Sequence, residues 1–204
     1  MASAASYDVL LFDLGGVIVE LVGLPAFRGW MAQRMSDDEI WERWILSPTV
    51  RSFESGNSDA EAFAAGVIAE FELRVDAQTF LAEFERWAHG PFPGALELLD
   101  QLRDRFRLAC FSNTNPVHWP RFVGEMGLGD AFHAHFASHE LGVLKPDREA
   151  YERVVRDLGC APERVLFLDD NSINVEGARG AGLDAHRVQG PEGARALLRS
   201  LALL

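Results

Sequence analysis

The sequence predicts an α/β fold, with a parallel sheet between helical layers and a helical insert after the first strand. Three observations lead to it. Short, wholly apolar runs recur along the chain, as expected of strands buried on both faces. Segments with apolar residues at helical spacing lie between those runs, which makes βαβ units the natural connection. Residues 20–88 break the alternation: they hold four of the five tryptophans (Trp30, Trp41, Trp44 and Trp87), many helix formers and no convincing strand.

The first run, residues 8–12 (DVLLF), is stopped by Asp13 and the turn pair Gly15-Gly16. Within the insert, 37–46 and 58–73 read as amphipathic helices, with Asp59 near the start of the second. Pro91, Pro93 and Gly94 punctuate the return to the α/β pattern. Residues 94–105 then place Leu98, Leu99 and Leu102 on one helical face, and 107–111 (RLACF) form the second strand. A third strand is expected at 134–137 (AHFA). A helix over 147–158 follows, carrying Tyr151, Val154, Val155 and Leu158 on one face. The fourth strand is 165–168 (VLFL) and the fifth, weaker one 184–188 (DAHRV). The expected organisation is a Rossmann-like three-layer core from residues 1–19 and 89–204, with residues 20–88 as a helical cap. Connections near 18–22 and 88–92 would serve as the hinge.

Composition narrows the function. The chain has 204 residues, 48% hydrophobic and 25% charged, the balance of an ordinary globular protein. Its 19 basic and 31 acidic side chains give a net charge of -12, and no Lys/Arg run is present, which argues against nucleic acid as a partner. An acidic surface also repels anions, so a phosphate site would need local positive charge. Cys110 and Cys160 lack metal-ligand spacing and read as buried, reduced thiols. The start lacks a basic region before its short apolar run, and no stretch approaches a membrane span. A cytoplasmic enzyme with no membrane partner is the expectation; the sequence leaves the oligomeric state open.

In an open parallel sheet, ligands bind beyond the carboxyl ends of the strands. Here the first strand ends in Asp13, the second in Ser112-Asn113, and the fourth in Asp169-Asp170-Asn171. Lys145-Pro146 opens the helix after the third. Three carboxylates at one sheet edge would raise each other's pKa, and an oxygen-ligated cation such as Mg²⁺ relieves that repulsion. An ionised Asp beside such a cation is a competent nucleophile toward phosphorus. Ser112, the backbone N–H groups after it and Lys145 supply donors for a phosphate. Pro146, placed at the first position of the next helix, would leave that helix's free N–H groups aimed at the same point.

These segments resemble a known family. FDLGGVIVE (12–20), FSNTN (111–115), GVLKPD (142–147) and FLDDNSINVEGA (167–178) are similar to the four ordered motifs of the haloacid dehalogenase-like superfamily. The pattern is closest to its sugar-phosphate (glucose-1-phosphate) phosphatase branch, and FESGNSDAEAF (53–63) resembles that branch's cap of the C1 type. The resemblance implies an Mg²⁺-dependent phosphatase acting on a small phosphate monoester, with Asp13 as nucleophile. Metal ligands would be Asp13, the backbone carbonyl of Gly15, Asp170 directly and Asp169 through water or a second layer. Ser112, Asn113, Lys145 and Asn171 would bind or frame the substrate, and Asn174 would orient the acidic loop.

One departure matters. Most family phosphatases carry a second Asp two residues after the nucleophile, which protonates the leaving alcohol and then activates water. That position is Gly15 here. Glu20 and His118 are candidate replacements. The departure also admits a non-catalytic or phosphotransfer relative. A metal-independent dehalogenase is a further alternative, although that branch tends to replace the acidic pair with small polar residues.

Overall fold

The computed structural model describes residues 7–204. Strand β1 (Val9–Phe12) leads through the Asp13–Ile18 turn into a short strand β2 (Val19–Leu21). Five helices follow: α1 (Leu24–Trp30), α2 (Asp37–Leu46), α3 (Pro48–Glu54), α4 (Ala60–Glu70) and α5 (Ala77–Phe84). Strand β3 (Ala88–Pro91) closes this insert by pairing antiparallel with β2. The core resumes with α6 (Ala95–Arg103), β4 (Arg107–Ser112), a π-helical turn over Arg121–Glu125 and α7 (Leu128–Ala131). It ends with β5 (Ala134–Ala137), α8 (Ser138–Leu141), α9 (Arg148–Leu158), β6 (Val165–Asp169), α10 (Ser172–Gly180), β7 (Asp184–Arg187) and α11 (Gly190–Ser200).

The five long-range strands form one sheet in the order β5-β4-β1-β6-β7, with every pairing parallel. Side chains alternate across a strand, so both faces of the apolar runs must be covered. Leu10, Phe12, Leu108, Cys110, Leu166 and Leu168 face α6 and α11. Val9, Leu11, Ala109, Phe111, Val165 and Phe167 face α9 and α10. This is the expected α/β architecture: a three-layer core with an inserted helical region.

The insert has its own apolar cluster, built around Phe27, Trp44, Phe53, Phe63, Phe80, Phe84 and Trp87. Its start signals are strong. Ser36 and Glu39 form a reciprocal capping box on α2, and the carboxylates of Asp59 and Asp76 cap α4 and α5. Trp44 and Trp87 are buried among these rings, so they serve packing. Among the described residues, no helix is long and apolar enough to cross a membrane.

The structure refines one expectation and corrects three others. The connections near 18–22 and 88–92 are a two-stranded antiparallel ribbon, too short to show an alternation in the sequence. The 58–73 helix ends at Glu70, where Glu72 turns the chain with a positive φ. Helix α9 begins at Arg148 with Asp147 as its cap, so Pro146 lies before the helix and not in its first turn. Finally, Cys110 is buried but Cys160 is only partly covered, because it follows the glycine that ends α9; both thiols are free.

Candidate active site

The four sequence motifs converge beyond the carboxyl ends of β1, β4 and β6. Asp13 directly follows β1, and its N–H donates to the Leu168 carbonyl at 2.8 Å, which ties the turn to β6. The Lys145 ammonium reaches up between the strands. Its Nζ lies 2.8 Å from Asp13 Oδ1 and 2.7 Å from Asp169 Oδ2, with the rings of Phe111 and Phe167 at 5.3 and 5.4 Å. Lys145 is 1% exposed and Asp169 fully buried. Lysine is almost never this deep without charge partners. Burial alone would lower its pKa, but the two carboxylates outweigh that and hold it charged.

The backbone of Lys145 is clamped by Asn113. The Asn113 amide nitrogen donates to the Lys145 carbonyl at 2.8 Å, and its amide oxygen accepts from the Lys145 N–H at 2.9 Å. Sequence reading placed Asn113 among substrate ligands; both ends of its side chain are instead engaged in positioning Lys145. Ser112, by contrast, has only a 3.4 Å contact from its hydroxyl to the Asn113 carbonyl, so that hydroxyl remains free for a ligand.

Asp169 is equally committed. Besides Lys145, it accepts from the Asn171 N–H at 2.8 Å and from the Asn174 amide at 3.1–3.2 Å. Asn171 caps α10 by accepting from the Ile173 N–H. Asp170 is partly exposed and has Gly16 against its carboxylate: a carbon added at Gly16 would lie 2.2 Å from Asp170 Oδ2. Gly16 also has φ +70°, so glycine is needed there on both counts.

The oxygens of Asp13, Asp169 and Asp170 lie within 4.8 Å of one another. Burial drives the Asp13 carboxyl up against the pull of Lys145, and the two neighbouring carboxylates add to the rise. Burial and Asp169 likewise push Asp170 up. One ammonium does not balance three carboxylates, so the donor set suits a hard divalent cation with oxygen ligands. The Leu14 and Gly16 carbonyls accept hydrogen bonds from Val19 and Gly190. The Gly15 carbonyl between them accepts none among the described residues, which leaves it free as a further oxygen ligand.

Position 15 has an apolar side chain against it. A carbon added at Gly15 would sit 2.9 Å from Leu21 Cδ1 on β2. The two replacements considered for the missing acid fare differently. Glu20 stands on β2 opposite Gly90, partly exposed. His118 is spent structurally: its Nε2 is 2.6 Å from the Phe84 carbonyl and its Nδ1 3.3 Å from the Asn115 amide. Burial lowers its pKa to about 4, which favours the neutral ring.

The cap touches the core beside this site. Arg51 Nη2 pairs with Asp147 Oδ2 at 2.5 Å, and the Ser138 hydroxyl donates to the Glu54 carbonyl at 2.6 Å. Arg28, by contrast, pairs with Asp37 inside the cap. Sequence reasoning overlooked Glu54 although it lies in the quoted cap segment, because a single Glu in a polar stretch carries no periodic or spacing signal.

Comparison with known proteins agrees with the geometry. The profile of the haloacid dehalogenase-like hydrolases matches residues 7–182, and the chain belongs to that family. It is a hydrolase with a C1-type helical cap. The chain is 35% identical over 195 residues to the (S)-2-haloacid dehalogenase of Xanthobacter autotrophicus, covering 92% of this chain and 75% of that one. It is 26% identical over 186 residues to the D-ribitol-5-phosphate phosphatase of Bacteroides thetaiotaomicron, covering 86% and 88%. A crystal structure of a family enzyme from the same bacterium, in complex with magnesium and inorganic phosphate, superposes with a TM-score of 0.71. That match is at 24% identity and covers 90% and 95% of the two chains.

Proposed function

We propose that this hydrolase is an Mg²⁺-dependent phosphatase that cleaves a small phosphate monoester through an aspartyl-phosphate on Asp13. The observation that carries the reading is the cluster of Asp13, Asp169 and Asp170 around one buried ammonium. Asp13 attacks phosphorus. Two of the three N–H groups of Lys145 are engaged by carboxylates, and the third is free for a phosphate oxygen. The Ser112 hydroxyl is a second phosphate donor. Asp13, the Gly15 carbonyl and Asp170 would hold the metal, with Asp169 behind them fixing Lys145 and the loop through Asn171 and Asn174. Bound there, Mg²⁺ supplies the positive charge that the carboxylates lack and a ligand position for a phosphate oxygen.

A sugar or polyol phosphate is the favoured substrate class, supported by the motif resemblance and by the phosphatase among the relatives. The core of residues 1–19 and 89–204 would carry the chemistry and the cap of residues 20–88 would select the leaving group. The cap's separate apolar cluster and its β2–β3 attachment support that division.

The test is phosphate release from a panel of sugar phosphates, polyol phosphates and an aryl phosphate, with Mg²⁺ and with EDTA. Release that requires Mg²⁺ and vanishes in Asp13→Asn is expected; metal-independent release would overturn the reading. The second reading is dehalogenation, favoured by the 35% identity to a haloacid dehalogenase. It predicts halide release from 2-chloropropionate without metal. The acidic pair Asp169-Asp170 weighs against it, since attack on carbon needs no cation.

A further inference from the structure

We propose that Glu54, at the end of α3 in the cap, protonates the leaving oxygen and then activates the hydrolytic water, replacing the carboxylate that position 15 lacks. The proposal rests on the phosphatase reading and assigns the one chemical role that reading leaves without a residue. Gly15 offers no side chain, Leu21 fills the adjoining space, and both ring nitrogens of His118 are engaged.

The end of α3 that carries Glu54 is fastened to the core beside the site. The Ser138 hydroxyl that donates to the Glu54 carbonyl also accepts from the Thr114 N–H at 2.9 Å, and Thr114 lies two residues beyond Ser112. The next turn of the cap is equally close: a carbon added at Gly56 would stand 2.5 Å from the His139 carbonyl oxygen. The Arg51–Asp147 pair makes a third fastening, one turn before Glu54 on α3 and two residues after Lys145 in the core. The cap segment therefore meets the core at the loops after β4 and β5, the same loops that carry Ser112 and Lys145.

The Trp44 indole on α2 acts on the carboxylate and favours its ionised form. The charges acting on it are Lys145 from the core and Arg51 from its own helix. Asp147, already paired with Arg51, and His139 also lie at this seam. Burial outweighs the Trp44 indole and the two cations and lifts the Glu54 carboxyl to about 7. A group that must give a proton and then take one back works best near the ambient pH.

The steps balance. Asp13 attacks phosphorus, the bond from phosphorus to the leaving oxygen breaks, and its electron pair takes the proton of Glu54. The products are an alcohol, an aspartyl-phosphate and a Glu54 carboxylate. Water then enters from the side the alcohol left, and Glu54 accepts its proton as the oxygen bonds to phosphorus. The acyl–phosphate bond breaks, which returns Asp13 as carboxylate, Glu54 as acid and free phosphate.

The experiment compares wild type, Glu54→Gln and Glu54→Asp on an alkyl phosphate and on p-nitrophenyl phosphate, whose leaving group needs little protonation. Glu54→Gln is expected to lose roughly 10²–10⁴-fold in kcat on the alkyl ester. On the aryl ester, formation of the aspartyl-phosphate should survive, seen as a burst of nitrophenol before slow turnover. Glu54→Asp should retain part of both. Trp44→Phe gives an independent readout: it removes an indole N–H that favours the ionised form, so the Glu54-dependent limb of the pH–rate profile should move to higher pH. Absence of the nitrophenol burst in Glu54→Gln, no loss of kcat on either ester, or a limb unmoved in Trp44→Phe would each overturn the assignment. Failure of the wild type itself to release phosphate from either ester would sink the phosphatase reading and this proposal together; an active wild type indifferent to Glu54→Gln sinks the proposal alone.

Discussion

Lys145 and Asp13 are 132 residues apart in the chain, yet the ammonium of one lies 2.8 Å from the carboxylate of the other in a buried site. The same ammonium holds Asp169 at 2.7 Å. This places the cation where it pulls the proposed nucleophile toward its ionised form, against the effect of burial. Lys145→Met removes it and leaves three carboxylates facing one another. Breaking a buried pair from one side typically costs about 3–5 kcal/mol. We expect that loss in EDTA, read from the urea midpoint. Mg²⁺ should stabilise the variant more than the wild type, because the metal then takes over the neutralisation. A variant as stable as wild type in EDTA would contradict this account of the site's electrostatics.

Gly56 tests whether the cap must press against the core. Its φ is +76°, and any side chain there would meet the His139 backbone, which has no flexible end to yield. The left-handed conformation alone costs an alanine roughly 1–2 kcal/mol. Gly56→Ala should lift the loop, break the Ser138–Glu54 hydrogen bond, raise KM and lower kcat on alkyl phosphates by tenfold or more. Helical content should be kept. Gly90→Ala is the control, since that glycine on β3 faces open space. Matching kinetics for Gly56→Ala and wild type would mean the contact is incidental.

Much of this architecture is legible in the sequence, for reasons that particular residues make plain. Runs such as VLLF and VLFL are buried on both faces, so their composition alone marks strands of a parallel sheet. Asp13, Ser112 and Asp169-Asp170 close such runs or follow them directly, so the parallel arrangement by itself gathers them at one sheet edge. Strands β2 and β3 leave no such mark, because three or four residues cannot display a period. The clamp of Asn113 on Lys145 spans 32 residues and joins a side chain to a backbone, a relationship that spacing does not encode. His118 has the residue type of a proton shuttle, and only its two hydrogen bonds reveal a structural role.

Position 15 offers a rescue experiment. If Glu54 supplies the proton, Gly15→Asp in the wild type should gain little. In Glu54→Gln the same substitution should restore activity on alkyl phosphates, provided the side chain has room. Leu21 Cδ1 stands 2.9 Å from the new carbon, but Leu21 is 40% exposed and its end can swing away. Leu21→Ala removes the obstacle outright. We therefore expect the order Glu54→Gln, then Glu54→Gln with Gly15→Asp, then the triple variant with Leu21→Ala, each gaining in the rate of aspartyl-phosphate formation from alkyl but not aryl esters. Gains in that step that are equal on both ester types would point to a change in binding rather than in proton transfer.

His118 makes a prediction about stability rather than catalysis. Desolvation lowers its pKa from 6.5 to about 4, and this outweighs the hydrogen bond to the Phe84 carbonyl. The native state therefore holds the ring neutral while the unfolded state protonates it. Between those two values the unfolded chain binds more protons, so stability falls as the pH drops through this window. The contribution is fully present above about pH 6.5 and is lost progressively toward pH 4, by at most ~3 kcal/mol at 1.36 kcal/mol per pKa unit. His118→Gln keeps a side-chain donor for Phe84 but cannot titrate. The difference in unfolding free energy between wild type and His118→Gln isolates this contribution, because the carboxylates titrate alike in both. That difference should shift against the wild type as the pH falls from 6.5 to 4 and be constant from pH 7 to 8. A difference independent of pH would show that the ring titrates alike in the native and unfolded protein, and would return His118 to the set of groups able to move a proton.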